Sequence, residues 1–203
     1  MSKTTINNKI EIIPNSKTVI LCTNNVDKLK LSKIFADEDT LFITTRTKEL
    51  NEYECCEKLV KQLKISNLFN YDFNTLSIGE KQMVQICYAL SSNKEKIVLV
   101  DAISNVSSIN KDKILKYLKK IDKTIIYITN NKEDIMYFNE FVLYDNEIIL
   151  SDKLDNILKM ENKFKSVGFS LPFMSDLSLK LKYYNLVNKS ITSMDRMVNK
   201  LWK

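Results

Sequence analysis

Three short runs, "KTVILCT" (17–23), "KIVLVD" (96–101) and "TIIYIT" (124–129), are apolar and β-branched with no polar residue at alternate positions. A strand wet on one face alternates; a strand covered on both faces does not need to. Stretches of helical period separate these runs, so the chain reads as an α/β fold with a mostly parallel sheet flanked by helices. "TLFITT" (40–45), "EFVLY" (140–144) and "EIIL" (147–150) add strands, the last two joined as a tight hairpin around "DN" at 145–146. In 51–65, Cys56, Leu59, Val60 and Leu63 follow the i, i+3, i+4, i+7 spacing of one helix face, and Met83, Ile86, Cys87 and Leu90 repeat it in 79–92. Further helices fit 26–36, 111–122, 132–138 and 152–160, with two more after "GFSLP", near 174–184 and 193–202.

At 203 residues the chain is one domain, or a domain with a small appendage. No apolar run approaches the roughly 18 residues that cross a bilayer. The first residues have no signal-peptide core. The expected location is cytoplasmic, with membrane contact only through another protein. There is no histidine, and the four cysteines show no C-x-x-C spacing, so no zinc site is expected. The usual general base near neutral pH is also missing. Cys56 and Cys87 fall on apolar helix faces and read as buried, reduced thiols. Residues 152–203 carry ten Lys/Arg against five Asp/Glu, most of the chain's net +6. Those lysines are scattered at helical spacing, as on a solvated face, and no nucleic-acid partner is expected.

Three segments carry chemistry when read in order. "LSIGEKQ" (76–82) opens a helix; seven residues after Leu90 comes "IVLVDAISNVSS" (97–108); then "TIIYITNNKEDIMYFNEFVLYDNEIILSD" begins at Thr124. Ser77 and Glu80 alone form S-x-x-E, a capping box that would start any helix. A serine hydroxyl and a glycine N–H at a helix N-terminus also suit a phosphate.

In this order the segments resemble the ATP-binding cassette (ABC) family, the motor subunits of ABC transporters. "LSIGEKQ" resembles its signature L-S-G-G-Q-x-Q: Ser77, Gly79 and Gln82 match, whereas Ile78 and Glu80 depart. "IVLVDAISNVSS" resembles Walker B and the D-loop, with Asp101 at the metal-associated aspartate, Ala102 at the catalytic glutamate and Ser108 at the D-loop aspartate. In the switch-like segment Asn130 replaces the histidine. The Walker A loop, G-x-x-x-x-G-K-[ST], falls on "ILCTNNVDKLKLSKIF" (20–35). Lys28 takes the lysine position, Cys22 and Asp27 the glycines and Leu29 the Ser/Thr. The tail "GFSLPFMSDLSLKLKYYN…SITSMDRMVNKLW" is similar to the C-terminal appendage of the ATPases of energy-coupling-factor transporters. Leu171, Pro172 and Phe173 and the helix from Ile191 to Leu201 carry that likeness. The stretch from Ala36 to Leu76 is about half the family's usual length, which implies a reduced β-lobe and helical lobe.

A Walker A loop aims successive N–H groups at phosphate and needs glycine for its positive-φ positions. A β-carbon there costs about 1–2 kcal/mol per residue. The chain's two glycines, Gly79 and Gly168, both lie elsewhere. The resemblance implies P-loop NTPase-like architecture, with a shortened nucleotide-binding domain over 1–151 (helical lobe about 50–92) and a helical appendage over 152–203. It assigns nucleotide contact to Asn24, Lys28 and Asp101, with Asp101 also toward a metal. The signature role falls to Ser77, Gly79, Glu80 and Gln82. No residue is expected to be catalytic, because Ala102 and Asn130 stand at the glutamate and histidine positions. MgATP is the family's ligand, and the degenerate loop weighs against tight binding by this chain. The implied partners are an intact ABC ATPase subunit and a transmembrane transporter subunit at the inner face of the cell membrane. In that reading the chain completes the partner's site through its signature while its own site stays inactive. Two alternatives stay open: an active ATPase that drives uptake, and an assembly or binding module that uses no nucleotide.

Overall fold

The computed structural model describes residues 4–6, 10–45, 55–154, 156, 160–187, 191 and 194–201. The six strands from Lys17 onward form one mostly parallel sheet flanked by helices. The chain divides into two compact units, Met1–Lys17 with Asp27–Ile128, and Thr18–Val26 with Thr129–Lys203.

In the first unit, β1 (Thr4–Ile6) and β2 (Ile10–Ile12) make a small antiparallel pair. Three parallel strands follow, β4 (Thr40–Thr44), β5 (Lys96–Val100) and β6 (Thr124–Thr129), with Phe42 opposite Val98 and Val98 opposite Ile126. β6 is buried at every position and β5 at all but Lys96, which accounts for the missing alternation in their sequences. Helix α1 (Lys28–Ser32) is a single short turn continued by a 3-10 turn, Lys33–Phe35, within the helical stretch expected at 26–36. Helix α2 (Glu57–Leu63) buries Leu59 and Leu63 and ends where Lys64 takes a left-handed conformation, φ 59°. Residues 51–54 of the helix expected at 51–65 lie outside the described residues. Cys56 is an exposed N-cap and not part of the helix face, which corrects its reading as a buried thiol. Helix α3 (Ile78–Ser91) buries Met83, Ile86, Cys87 and Leu90 as their spacing requires, and Gln82 and Gln85 besides. Helix α4 (Ser108–Leu118) buries Ile114, Leu115 and Leu118.

In the second unit, β3 (Lys17–Cys22) runs parallel to β7 (Glu140–Tyr144), Ile20 opposite Val142, and β7 turns back antiparallel into β8 (Ile148–Lys153). Asn146 at the tip has φ 57°, the left-handed geometry that a tight hairpin demands and asparagine tolerates. β8 runs on to Lys153 opposite Glu140, so the helix expected from 152 gives way to strand pairing at its start; 155 and 157–159 lie outside the described residues. The segment expected as a helix at 132–138 is a 3-10 helix, Lys132–Tyr137, stopped where Phe138 goes extended to feed β7. Helix α5 (Glu161–Ser166), absent from the sequence reading, buries one large side chain, Phe164, against Phe141 of β7. Helices α6 (Phe173–Tyr183) and α7 (Met194–Leu201) match the two expected after "GFSLP".

Candidate functional site

The β5 strand ends by delivering Asp101 at φ 48°, with its N–H donating to the Ile128 carbonyl at 3.0 Å. A non-glycine residue is rarely held left-handed, and here the bond to β6 fixes it. The Asp101 carboxylate forms an ion pair with Nζ of Lys28, both side chains being under one-fifth exposed. Asp27, one residue earlier, is the N-cap of α1: its Oδ1 accepts from the N–H groups of Leu29 at 3.1 Å and Lys30 at 3.0 Å. These are the donors a helix start presents to an anion. In this chain two carboxylates already take them: Asp27 the backbone donors, Asp101 the lysine. Leu29, expected from the sequence at the hydroxyl position, is exposed. Ala102 is fully buried and has no group that could polarise water.

The signature-like stretch starts α3 with a complete capping box. Ser77 N–H donates to Glu80 Oε2 at 2.9 Å, Ser77 Oγ donates to the same oxygen at 2.6 Å, and Glu80 N–H reaches Ser77 Oγ at 3.4 Å. The Ser77 hydroxyl and N–H hold the Glu80 carboxyl below the usual carboxylate range. Gly79 faces inward. A β-carbon there would lie 2.4 Å from the Asn105 carbonyl oxygen, closer than real contacts allow. Gln82 is fully buried; its Oε1 accepts from Asn105 N–H at 3.0 Å and its Nε2 approaches Ser104 Oγ at 3.5 Å. Of these four residues, Ser77 and Glu80 cap the helix, Gln82 bonds to the segment after β5, and Gly79 lets that segment approach closely.

Asn24 and Asn130 belong to the second unit, where Asn130 Nδ2 donates to Asn24 Oδ1 at 3.2 Å. Thr23, missed in the sequence, ties the same loop to the hairpin: its N–H donates to the Tyr144 carbonyl at 3.2 Å and its hydroxyl to Asp145. Asn131 caps the 3-10 helix, and the next two residues hold the segment that enters α6. Lys132 bonds to Ser170 Oγ and to the Leu171 carbonyl at 3.1 Å; both Glu133 oxygens accept from Phe173 N–H, at 3.1 and 3.0 Å. Among the described residues, no three His, Cys, Asp or Glu side chains gather as a metal site. None of the helices among them is long and apolar enough to cross a membrane.

No family model matches the chain. It is 28% identical over 148 residues to the energy-coupling factor transporter ATP-binding protein EcfA2 of Clostridium acetobutylicum, 68% of this chain and 52% of that one. It is 30% identical over 138 residues to EcfA1 of Fusobacterium nucleatum, 66% of this chain and 49% of that one. The chain thus spans about half the length of these curated relatives. Among solved structures it superposes on a metal-chelate-type ABC transporter in an inward-facing conformation, with a TM-score of 0.63 at 14% identity over 78% of this chain and 80% of that one. The fold is that of the ABC ATPases. The dimeric bacterial ABC cassette MJ0796 fits with a TM-score of 0.59 at 17% identity, covering 71% and 88% of the two chains. Set against cassette motifs, the residues here do not fit MgATP. The helix-end donors hold Asp27, Lys28 holds Asp101, and the neighbouring Leu29 brings no hydroxyl that could ligate magnesium.

Proposed function

We propose that the chain is a degenerate ATP-binding-subunit-like component of an energy-coupling-factor importer, paired with an intact ATPase and inactive at its own site. The observation that carries this reading is the Lys28–Asp101 ion pair beside the Asp27 cap. A triphosphate would have to displace two carboxylates of like charge from the groups that should bind it, and no glycine nest repays that cost. The likeness to energy-coupling-factor ATP-binding proteins names the kind of assembly, and a transmembrane transporter subunit is the implied anchor at the inner membrane face. In this role, Ser77 and Gly79 complete the partner's nucleotide site.

Co-expression with an intact energy-coupling-factor ATPase from the same genome tests the pairing. The reading expects a stable complex whose ATP turnover survives Lys28→Ala here and is lost on mutating the partner's own Walker A lysine. A complex that hydrolyses ATP with the partner's lysine removed contradicts it and favours an active site in this chain.

One observation favours a second reading, an assembly module without nucleotide contact. Glu80 closes the capping box with its charge where a signature normally has neutral glutamine, and the Ser77 hydroxyl is spent on it. Complex formation indifferent to Ser77→Ala and to nucleotide would support that module.

A further inference from the structure

Helix α4 turns two different faces outward and inward. Ile114, Leu115 and Leu118 are buried, whereas Lys113, Lys116, Tyr117, Lys120 and Ile121 recur at i, i+3, i+4, i+7 and i+8 along another side. That side continues past the end of the helix, because the N–H groups of Lys120 and Ile121 both donate to the Tyr117 carbonyl, at 2.9 and 3.2 Å. Helix α2 packs beside α4 and ends at Leu63. Between them lies a cleft of about 450 Å³, wholly within the first unit. Leu63, Tyr117 and Ile121 give it apolar walls, and Lys113, Lys116 and Lys120 line it with no carboxylate among its lining residues. It shares no residue with the Lys28–Asp101 site.

The three lysines are not equally matched. Lys116 pairs with Asp112 on its own helix at 2.7 Å. Lys113 donates to a neutral oxygen, Asn110 Oδ1, at 3.1 Å, and among the described residues neither it nor Lys120 forms an ion pair. Two positive charges therefore stand unbalanced beside apolar walls, an arrangement that concentrates a positive field in a cleft. Lysine binds phosphate as a point charge. A phosphate monoester carries roughly two negative charges near neutral pH, which balances the two free lysines, whereas a carboxylate would balance one.

We propose that the α2–α4 cleft binds a small organic phosphate monoester, with its ring or short chain on Leu63, Tyr117 and Ile121 and its phosphate between Lys113 and Lys120. The volume falls within the roughly 300–1,000 Å³ of small-molecule sites. MgATP does not suit it, because its phosphates already hold a metal and a polar ribose parts them from the ring.

The test titrates 1-naphthyl phosphate into the isotope-labelled full chain and follows backbone amide shifts by NMR. Saturable shifts are expected around residues 62–63 and 113–121, weakening as salt rises. 1-Naphthoate, with one charge, should bind less tightly, and 1-naphthol and inorganic phosphate less tightly still. Lys120→Gln, an exposed change beyond the end of α4, should weaken 1-naphthyl phosphate about tenfold. Lys119→Gln is the control: Lys119 is an exposed lysine at the same helix end that does not line the cleft, so its loss should leave the affinity unchanged. Shifts that never saturate, equal binding of 1-naphthol, equal losses in Lys119→Gln and Lys120→Gln, or displacement of the probe by MgATP would each overturn the proposal.

Discussion

Lys28 and Asp101 form an ion pair that joins the start of α1 to the residue just past the end of β5 within the first unit. Because both side chains are more than four-fifths covered, the pair lies between exposed and buried ion pairs in its energetics. Removing the lysine strands a carboxylate that β6 holds in a left-handed conformation. Lys28→Ala is therefore expected to lower unfolding free energy by about 1–3 kcal/mol. Lys28→Ala with Asp101→Asn should cost less than the single change. A urea denaturation series on the three proteins checks both.

Gly79→Ala opposes two effects. Alanine in a helix gains about 1 kcal/mol over glycine. Its β-carbon, however, would sit 2.4 Å from the Asn105 carbonyl oxygen, a backbone atom that cannot simply turn away. Overpacking of this kind costs about 1–3 kcal/mol, so a net loss of stability is expected. Thermal melts with an exposed-helix Ala control decide the sign.

Glu80 predicts a pH dependence. Its folded-state pKa is depressed by the Ser77 hydroxyl and N–H, so its contribution is present above the unfolded value near 4.5 and is lost as pH falls through the folded value. The stability difference between wild type and Glu80→Gln should therefore be largest near neutral pH and shrink on acidification below pH 4.5. A difference that holds constant down to acid unfolding contradicts the assignment. Should the signature serve a partner's nucleotide, the same variant should also strengthen nucleotide-dependent pairing, since it removes a negative charge from the helix start.

Glu133 supplies the only side-chain acceptor given to the α6 start among the described residues, with Pro172 at the N-cap offering none. Glu133→Ala should loosen the first turn of α6 by about 1 kcal/mol, roughly a fivefold faster amide exchange there. Hydrogen exchange resolved to residues 173–176 reads this out, with α3 as the unchanged reference.

Strands were legible wherever β-branched residues ran together, because burial on both faces leaves its mark on every residue of β6 and on all of β5 but Lys96. Less legible were segments decided by distant partners. The 152–160 stretch has helical composition, yet Asp152 and Lys153 pair with Phe141 and Glu140 of β7. Lys132–Tyr137 has helical spacing, yet between the Asn131 cap and the extended Phe138 it winds as a 3-10 helix. At the site, the S-x-x-E of Ser77 and Glu80 announced its capping box in the sequence. Gly79 and Gln82 read as signature residues because their partner, Asn105, lies on a different element. Asp27 read as an intruder among phosphate-binding positions, and the structure gives it the positive task of capping α1.

Calorimetric titration of MgATP into the purified chain, with Lys28→Ala beside it, tests the central claim most directly. With Asp27 on the helix donors and Asp101 on the lysine, no saturable heat is expected at millimolar nucleotide in either protein. Saturable binding to the wild type that disappears in Lys28→Ala would show that the glycine-free loop still cradles phosphate, and would contradict the account.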